Sequence, residues 1–150
     1  MAVDTQLTTF SEIDLAWAAG FIDGEGSIGL YPCARRDKYR HKYFFLRLSV
    51  ANTDIRCLRR LQRMFGGSIN RTNHNNRPEQ RPCWTWYCQS KKCADALERI
   101  LPFLLSKKEQ AETALLSRKY MRKKGQFRLE PVDLQSQQEI ASHLRLLKKV

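Results

Sequence analysis

No cysteine pair in this chain is spaced C-x-x-C, and the five cysteines (Cys33, Cys57, Cys83, Cys88, Cys93) are odd in number. A zinc ribbon and a closed disulfide framework are therefore not expected. Three of the five lie in apolar or aromatic segments, where a reduced thiol behaves as a small hydrophobe. The expected setting is intracellular and reducing, with the host compartment left open. Long apolar runs are missing too. The longest, Leu15 to Ile22, falls far short of the roughly 20 residues a membrane helix needs, and no basic amphipathic helix opens the chain, so no membrane partner is expected. Met1 to Gln6 has neither a positive leader nor an apolar core, so secretion is not expected. Acidic residues are scarce: 15 Asp plus Glu stand against 27 Lys plus Arg, a net charge of +12. With membranes set aside, the polyanion such a chain would meet is nucleic acid. No repeat or low-complexity tract interrupts the 150 residues, and 42% hydrophobic content suits one domain over 1–150.

What is present is concentrated between Leu15 and Gly29. From Leu15 to Ile22 only the Trp17 indole can hydrogen-bond, and a helix apolar all round must be covered on several sides. Ser11 is the expected N-cap, Glu12 and Asp14 fill the first turn, and Gly24 and Gly26 supply a stop with positive φ. Asp23 and Glu25 then fall at the C-terminal end, where the helix dipole disfavours anions and favours cations, and a bound metal ion would offset that penalty.

Further along, Ser27 to Tyr31 reads as a short strand and Lys38 to Val50 as a long one, rich in aromatic and branched residues. In the long strand Phe44, Leu46, Leu48 and Val50 form one face, assigned to the core; Tyr43, Phe45, Arg47, Ser49 and Ala51 form the other. Asp54 to Phe65 places Ile55, Leu58, Leu61 and Phe65 at helical spacing, with Thr53 or Asp54 as cap and Gly66-Gly67 as stop. Ser68 to Asn73 and Cys83 to Gln89 read as a second strand pair around a polar loop. Helices are expected over 91–101, before Pro102, over about 107–123, and over about 132–147 after Pro131. Hairpins separated by helices predict an α+β fold, an antiparallel sheet with helices on one face and the other face free for a partner. A basic sheet face is wide enough to lie in a DNA major groove.

Phosphodiester hydrolysis needs an in-line water and neutralisation of developing negative charge, which divalent metals held by carboxylates supply. Oxygen ligands favour Mg²⁺ or a similar hard ion. Two metals normally require more than one carboxylate, yet the chain has one such cluster. Self-association is the simple remedy: Ala16 and Gly20 are four apart with Ala19 beside them, so two copies of this helix can pack closely and bring both Glu25 side chains to one axis. An EF-hand does not fit, because Ile28 would replace its Gly and Ala34 its bidentate Glu. Gly24-x-Gly26-x-x-Gly29 matches the dinucleotide fingerprint only formally, since strand and helix come in the reverse order.

The stretch Ala19-Gly-Phe-Ile-Asp-Gly-Glu-Gly26, preceded by Leu15-Ala-Trp-Ala, resembles the signature of the LAGLIDADG homing endonucleases, and the expected αββαββα order resembles that family over about residues 11–123, leaving a C-terminal helical extension at about 126–150. The resemblance implies a homodimer, because single-motif members pair, and cleavage of both strands of a long, roughly palindromic double-stranded DNA site. It implies a sheet saddle on the DNA and no small-molecule substrate. The acidic metal ligand falls on Glu25, where Asp is commoner, with Gly24 beside it; Mg²⁺ or Mn²⁺ would be used, with Ca²⁺ as a non-productive substitute. Asp23 falls with Ala16, Ala19 and Gly20 at the dimer helix. Leu48 to Arg56 resembles the junction that supplies a water-positioning polar residue and a basic one, which fall on Asn52 and Arg56. Leu101 to Ala111 resembles the segment supplying an active-site lysine, which falls on Lys107, with Lys108 as the alternative.

DNA contacts are expected from Arg35, Arg36, Lys38, Arg40, Tyr43, Arg47, Ser49, Asn70, Thr72, Arg77 and Arg81, although a charged surface needs no ligand and each residue taken singly is an even choice. Trp84, Trp86 and Tyr87 are read as core on at least one face of their strand. Two rival functions stay open: a noncatalytic nucleic-acid-binding protein, such as an intron-splicing maturase or regulator, and a basic structural protein of a nucleoprotein particle.

Overall fold

In the computed structural model, residues 10–33, 43–72, 79–126 and 128–149 are described. Helix α1 (Glu12–Glu25) starts with a capping box, in which the Asp14 amide donates to Ser11 Oγ at 3.2 Å and the Ser11 amide donates to the Asp14 carboxylate at 3.2 Å. Strands β1 (Gly26–Pro32) and β2 (Phe44–Asn52) follow, then α2 (Ile55–Phe65), β3 (Ser68–Arg71), β4 (Trp84–Gln89), α3 (Ser90–Ile100), α4 (Lys108–Leu116) and α5 (Pro131–Leu147). The four strands form one antiparallel sheet in the order β1-β2-β4-β3. The expected α+β architecture, an antiparallel sheet backed by helices, is the observed one.

Strand alternation positions the core. Ile28 and Leu30 of β1 are buried under α1, α4 and α5, Leu46, Leu48 and Val50 of β2 chiefly under α1, α2 and α3, and Trp86 and Cys88 of β4 under α2 and α3. Trp86 has no solvent exposure, and its indole N–H is satisfied by the Gly66 carbonyl at 2.9 Å. At Gly67 the backbone has φ +89 and a Cβ would stand 2.3 Å from the Tyr87 carbonyl oxygen, so the α2–β3 turn requires glycine on two counts. Asp14 pairs with Arg60 at 2.8 Å, and the Arg60 guanidinium lies 4.2 Å over the Trp17 ring, tying α2 to the start of α1.

Three expectations need correction. Neither Gly24 nor Gly26 has positive φ. Gly24 is helical, while Gly26 is extended (φ −82, ψ 158) and is required to be small, because a Cβ there would lie 2.7 Å from the Ile22 carbonyl oxygen. The helix expected over 107–123 stops as α-helix at Leu116 and continues as a 3-10 turn, Ser117–Tyr120. The Ser117 hydroxyl, fully buried, donates to the Ala114 carbonyl at 2.6 Å and competes with the helical ladder.

α5 is anchored by a polar side chain. β4 ends where Gln89 pairs with Arg47, so the Phe44 amide has no β4 partner; Gln137, 1% exposed, accepts it at 2.8 Å and donates to the Tyr120 carbonyl at 2.9 Å. Gln137→Leu would leave two backbone groups unpaired, each at roughly 1–3 kcal/mol. A chemical denaturation curve should register a loss of that order, and an unchanged midpoint would reject the anchor.

Candidate active site and nucleic-acid interface

The acidic end of α1, the β2–α2 junction and the approach to α4 meet at one end of the sheet. Gly26 pairs with Val50, so Glu25 lies just beyond that pair and Asn52 two residues along the neighbouring strand. The Glu25 side chain is exposed and, among the described residues, has no hydrogen-bond or ion-pair partner. Asp23, two residues earlier on the helix, is fully committed. Its Oδ2 accepts the Leu105 amide at 2.8 Å, its Oδ1 accepts the Lys107 amide at 2.9 Å and the Ser106 hydroxyl at 3.1 Å, and its backbone carbonyl accepts Lys107 Nζ at 2.5 Å. The Lys107 ammonium thus occupies the negative end of the α1 dipole, the role that the sequence left to a metal. Partial burial raises the Asp23 pKa, but the bonds from Leu105, Lys107 and Ser106 outweigh it and hold the carboxyl below its usual 3.8.

Asn52 and Arg56 are brought together through Asp54. Asn52 Oδ1 accepts the Asp54 amide at 2.8 Å, and Arg56 grips Asp54 with two bonds of 2.9 and 2.7 Å. The Arg56 side-chain bonds, with its backbone amide, lower Asp54 to about 2. Asn52 keeps its amide N–H groups for another partner. Lys108 is exposed and makes none of the Asp23 contacts.

On the interface side, Ala16, Gly20, Gly24 and Ile13 form an exposed stripe along α1; a Cβ added at Gly20 or Gly24 meets nothing within 4 Å. Ile13 is 80% exposed, and Leu105, bonded through its amide to Asp23, is 87% exposed. Ala19 is a correction: one residue round the helix, it is fully buried in its own subunit's core. Asp23 likewise spends its carboxylate within the chain.

The sheet face away from the helices carries Ser27 and Tyr31 of β1, Phe45, Arg47, Ser49 and Ala51 of β2, Thr85, Tyr87 and Gln89 of β4, and Asn70 of β3. Arg47 stacks 4.4 Å over the Tyr87 ring, and Asn70 Nδ2 donates to the Tyr87 hydroxyl at 3.3 Å. Thr72 is exposed at the end of β3, its hydroxyl bonded to the Cys83 carbonyl; Tyr43 is half-buried and Arg81 exposed. Arg35, Arg36, Lys38, Arg40 and Arg77 lie outside the described residues. Tyr87 and Thr85 were missed as face residues because the aromatic run from Trp84 to Tyr87 reads as core; strict alternation from buried Trp86 would have exposed them.

The acidic tip of an apolar helix thus stands at one end of an antiparallel sheet whose open face carries polar and aromatic side chains around Arg47. The LAGLIDADG endonuclease model matches residues 18–122, and the chain belongs to that family. Among solved structures it is similar to the homing endonuclease I-CvuI in complex with its target (TM-score 0.74, 24% identity, covering 90% of this chain and 82% of that one). It is also similar to the archaeal intron-encoded homing endonuclease I-Vdi141I complexed with DNA (0.70, 16%, 91% and 84%). A third likeness is to the meganuclease I-SmaMI bound to DNA (0.63, 17%, 85% and 43%). No curated protein matches the sequence.

Proposed function

We propose that this chain is a site-specific homing endonuclease that works as a homodimer, cutting both strands of a long, nearly palindromic DNA site with a divalent metal. The observation that carries the reading is the pairing, on one helix, of an unpartnered carboxylate at Glu25 with an open stripe of small residues at Ala16, Gly20 and Gly24. A second copy laid against that stripe would cover the exposed apolar groups at Ile13 and Leu105 and bring two Glu25 tips together.

Among the described residues no three metal-ligating side chains cluster in one subunit. The donors that fit a hard cation are oxygens, the Glu25 carboxylate with the Gly24 backbone beside it, and a symmetric pair would double them. When bound, Mg²⁺ or Mn²⁺ would neutralise the phosphate and lower the cost of making the nucleophile, with Ca²⁺ holding the site without turnover. The chain's own residues do the rest: Asn52 offers its amide to orient a water, Lys107 fixes the acidic helix end while placing a cation there, and Arg56 supplies a positive charge at the margin. The sheet face and the basic loops hold the duplex, and residues 1–150 act as one domain in a reducing compartment.

A second reading has its own support. Arg56 is locked to Asp54 and Asn52 to the Asp54 amide, so two of the assisting groups already have partners, as a noncatalytic binder or splicing cofactor would tolerate. Selection of cleavage sites from a plasmid library with Mg²⁺ separates the two: linear product from symmetric sites supports the nuclease, and retarded but uncut DNA supports the binder.

Asp23 provides a check on the scaffold independent of cutting. Its folded-state pKa lies below its unfolded value near 3.8, so its contribution is present above that value and fades as pH falls through the folded one. Asp23→Ala should cost about 1–3 kcal/mol near neutral pH, and the melting curves of variant and parent should draw together as the pH falls below 3.8 and through the lower folded-state value. Equal melting at pH 7 would remove Asp23 as the clamp.

A further inference from the structure

We propose that Arg47 reads a guanine in each half of the DNA site and that Tyr87 is the positioning residue that aims it; the inference rests on the DNA-binding reading above. Arg47 stands in the middle of the sheet's free face, paired across the ladder with Gly29 on β1 and Gln89 on β4. Among the described residues its guanidinium makes no hydrogen bond or ion pair, and its Nε is buried without a partner. Its recorded contact is with the Tyr87 ring, 4.4 Å from the centroid. Arg56, Arg60 and Arg118, by contrast, are each spent on a carboxylate. A charged fork with its donors unspent, on a face whose described strand residues include no acid, is prepared for an acceptor from outside the chain.

The chemistry of that acceptor follows from position and shape. Phosphates run along the margins of a groove, whereas the centre of an inserted sheet faces base edges. Guanine alone presents two adjacent acceptors there, O6 and N7, matching the fork of an arginine; adenine and cytosine place an amino donor in that row, and thymine a methyl group beside one acceptor. Tyr87 fixes the plane of the guanidinium by stacking, and Asn70 holds the Tyr87 hydroxyl at 3.3 Å, so the ring is itself braced. Two-fold symmetry then places the two guanines at mirrored positions on opposite strands.

The test is selection of bound duplexes from a randomised library by the full-length protein in Ca²⁺, followed by titration of the selected site and of versions changed at the guanine pair. The parent should enrich a symmetric pair of guanines and prefer them over adenine by about 5- to 150-fold, the discrimination of one bidentate contact. Arg47→Met, which keeps the apolar stem, should flatten preference at that pair while leaving the remaining positions selected, and Arg47→Lys, which keeps a donor but loses the stacked planar fork, should fall between parent and Arg47→Met. Tyr87→Leu should weaken the same preference, and Tyr87→Phe should largely retain it. Unchanged guanine preference in Arg47→Met, or a uniform loss across all sequences with a reduced salt slope in that variant, would mark Arg47 as at most a phosphate contact and overturn the proposal. A parent that enriches other positions but no guanine dependent on Arg47 overturns this inference alone, whereas a parent that selects no sequence overturns the DNA-site reading with it.

Discussion

Glu25→Gln is expected to abolish DNA cleavage while leaving target binding within a few-fold of the parent. The exchange removes the charge of the unpartnered carboxylate at the tip of α1 and little of its volume, and no hydrogen bond within the described residues is lost. Loss of one group that stabilises developing charge costs about 10²–10³-fold, and symmetry removes it from both subunits at once, so cutting should fall by at least roughly 10³-fold. A gel assay on a selected site, with Mg²⁺ and then Mn²⁺, gives the rate; retardation of the same duplex in Ca²⁺ gives the binding. Cutting that persists in the variant would remove Glu25 from the metal site. Loss of binding along with cutting would make it a structural residue instead.

The second large effect concerns assembly. Gly20→Leu is expected to leave the subunit folded and to separate the dimer. A Cβ at Gly20 meets nothing within 4 Å in the lone chain, and replacing a mid-helix glycine is favourable to the helix by up to about 1 kcal/mol. Against a second copy of the same helix the added side chain overpacks, at roughly 1–3 kcal/mol. The two-fold axis imposes that cost twice, a weakening of association by at least roughly 30-fold. Sedimentation across a concentration series should show the monomer with an intact circular-dichroism spectrum and no double-strand cleavage. A variant that remains dimeric at the parent's concentrations would place the interface elsewhere than on α1.

Much of this architecture was legible before the structure because local and long-range signals agree. Ser11 with Asp14, Asp54 with the Leu58, Leu61 and Phe65 spacing, and the Phe44 to Val50 alternation each name an element, a face and a boundary. The end of α1 was harder. Gly26 was expected to bend the chain through positive φ, but its need for glycine comes from an approach to Ile22 that no local pattern records. Ala19 and Gly20 are equally small in the sequence, and only the packing of α1 on its neighbours decides that the first is core and the second exposed. The same is true of the charges. The spacing of Asp23 and Glu25 suggests a pair acting together, yet a segment more than 80 residues away claims one carboxylate and leaves the other free. Asn52 and Arg56 were identified through a motif; their shared partner Asp54, which sets how much of either is available, became visible in the folded junction.

The central claim is that two chains meet at α1 and pool their acidic tips over one duplex. Native mass spectrometry of the protein on a selected DNA site in Ca²⁺ tests it most directly. The account predicts a complex containing one duplex and two chains of 17.6 kDa each, reduced to at most one chain per duplex by Gly20→Leu. A parent complex of one chain per duplex that still cuts both strands when Mg²⁺ is added would contradict it.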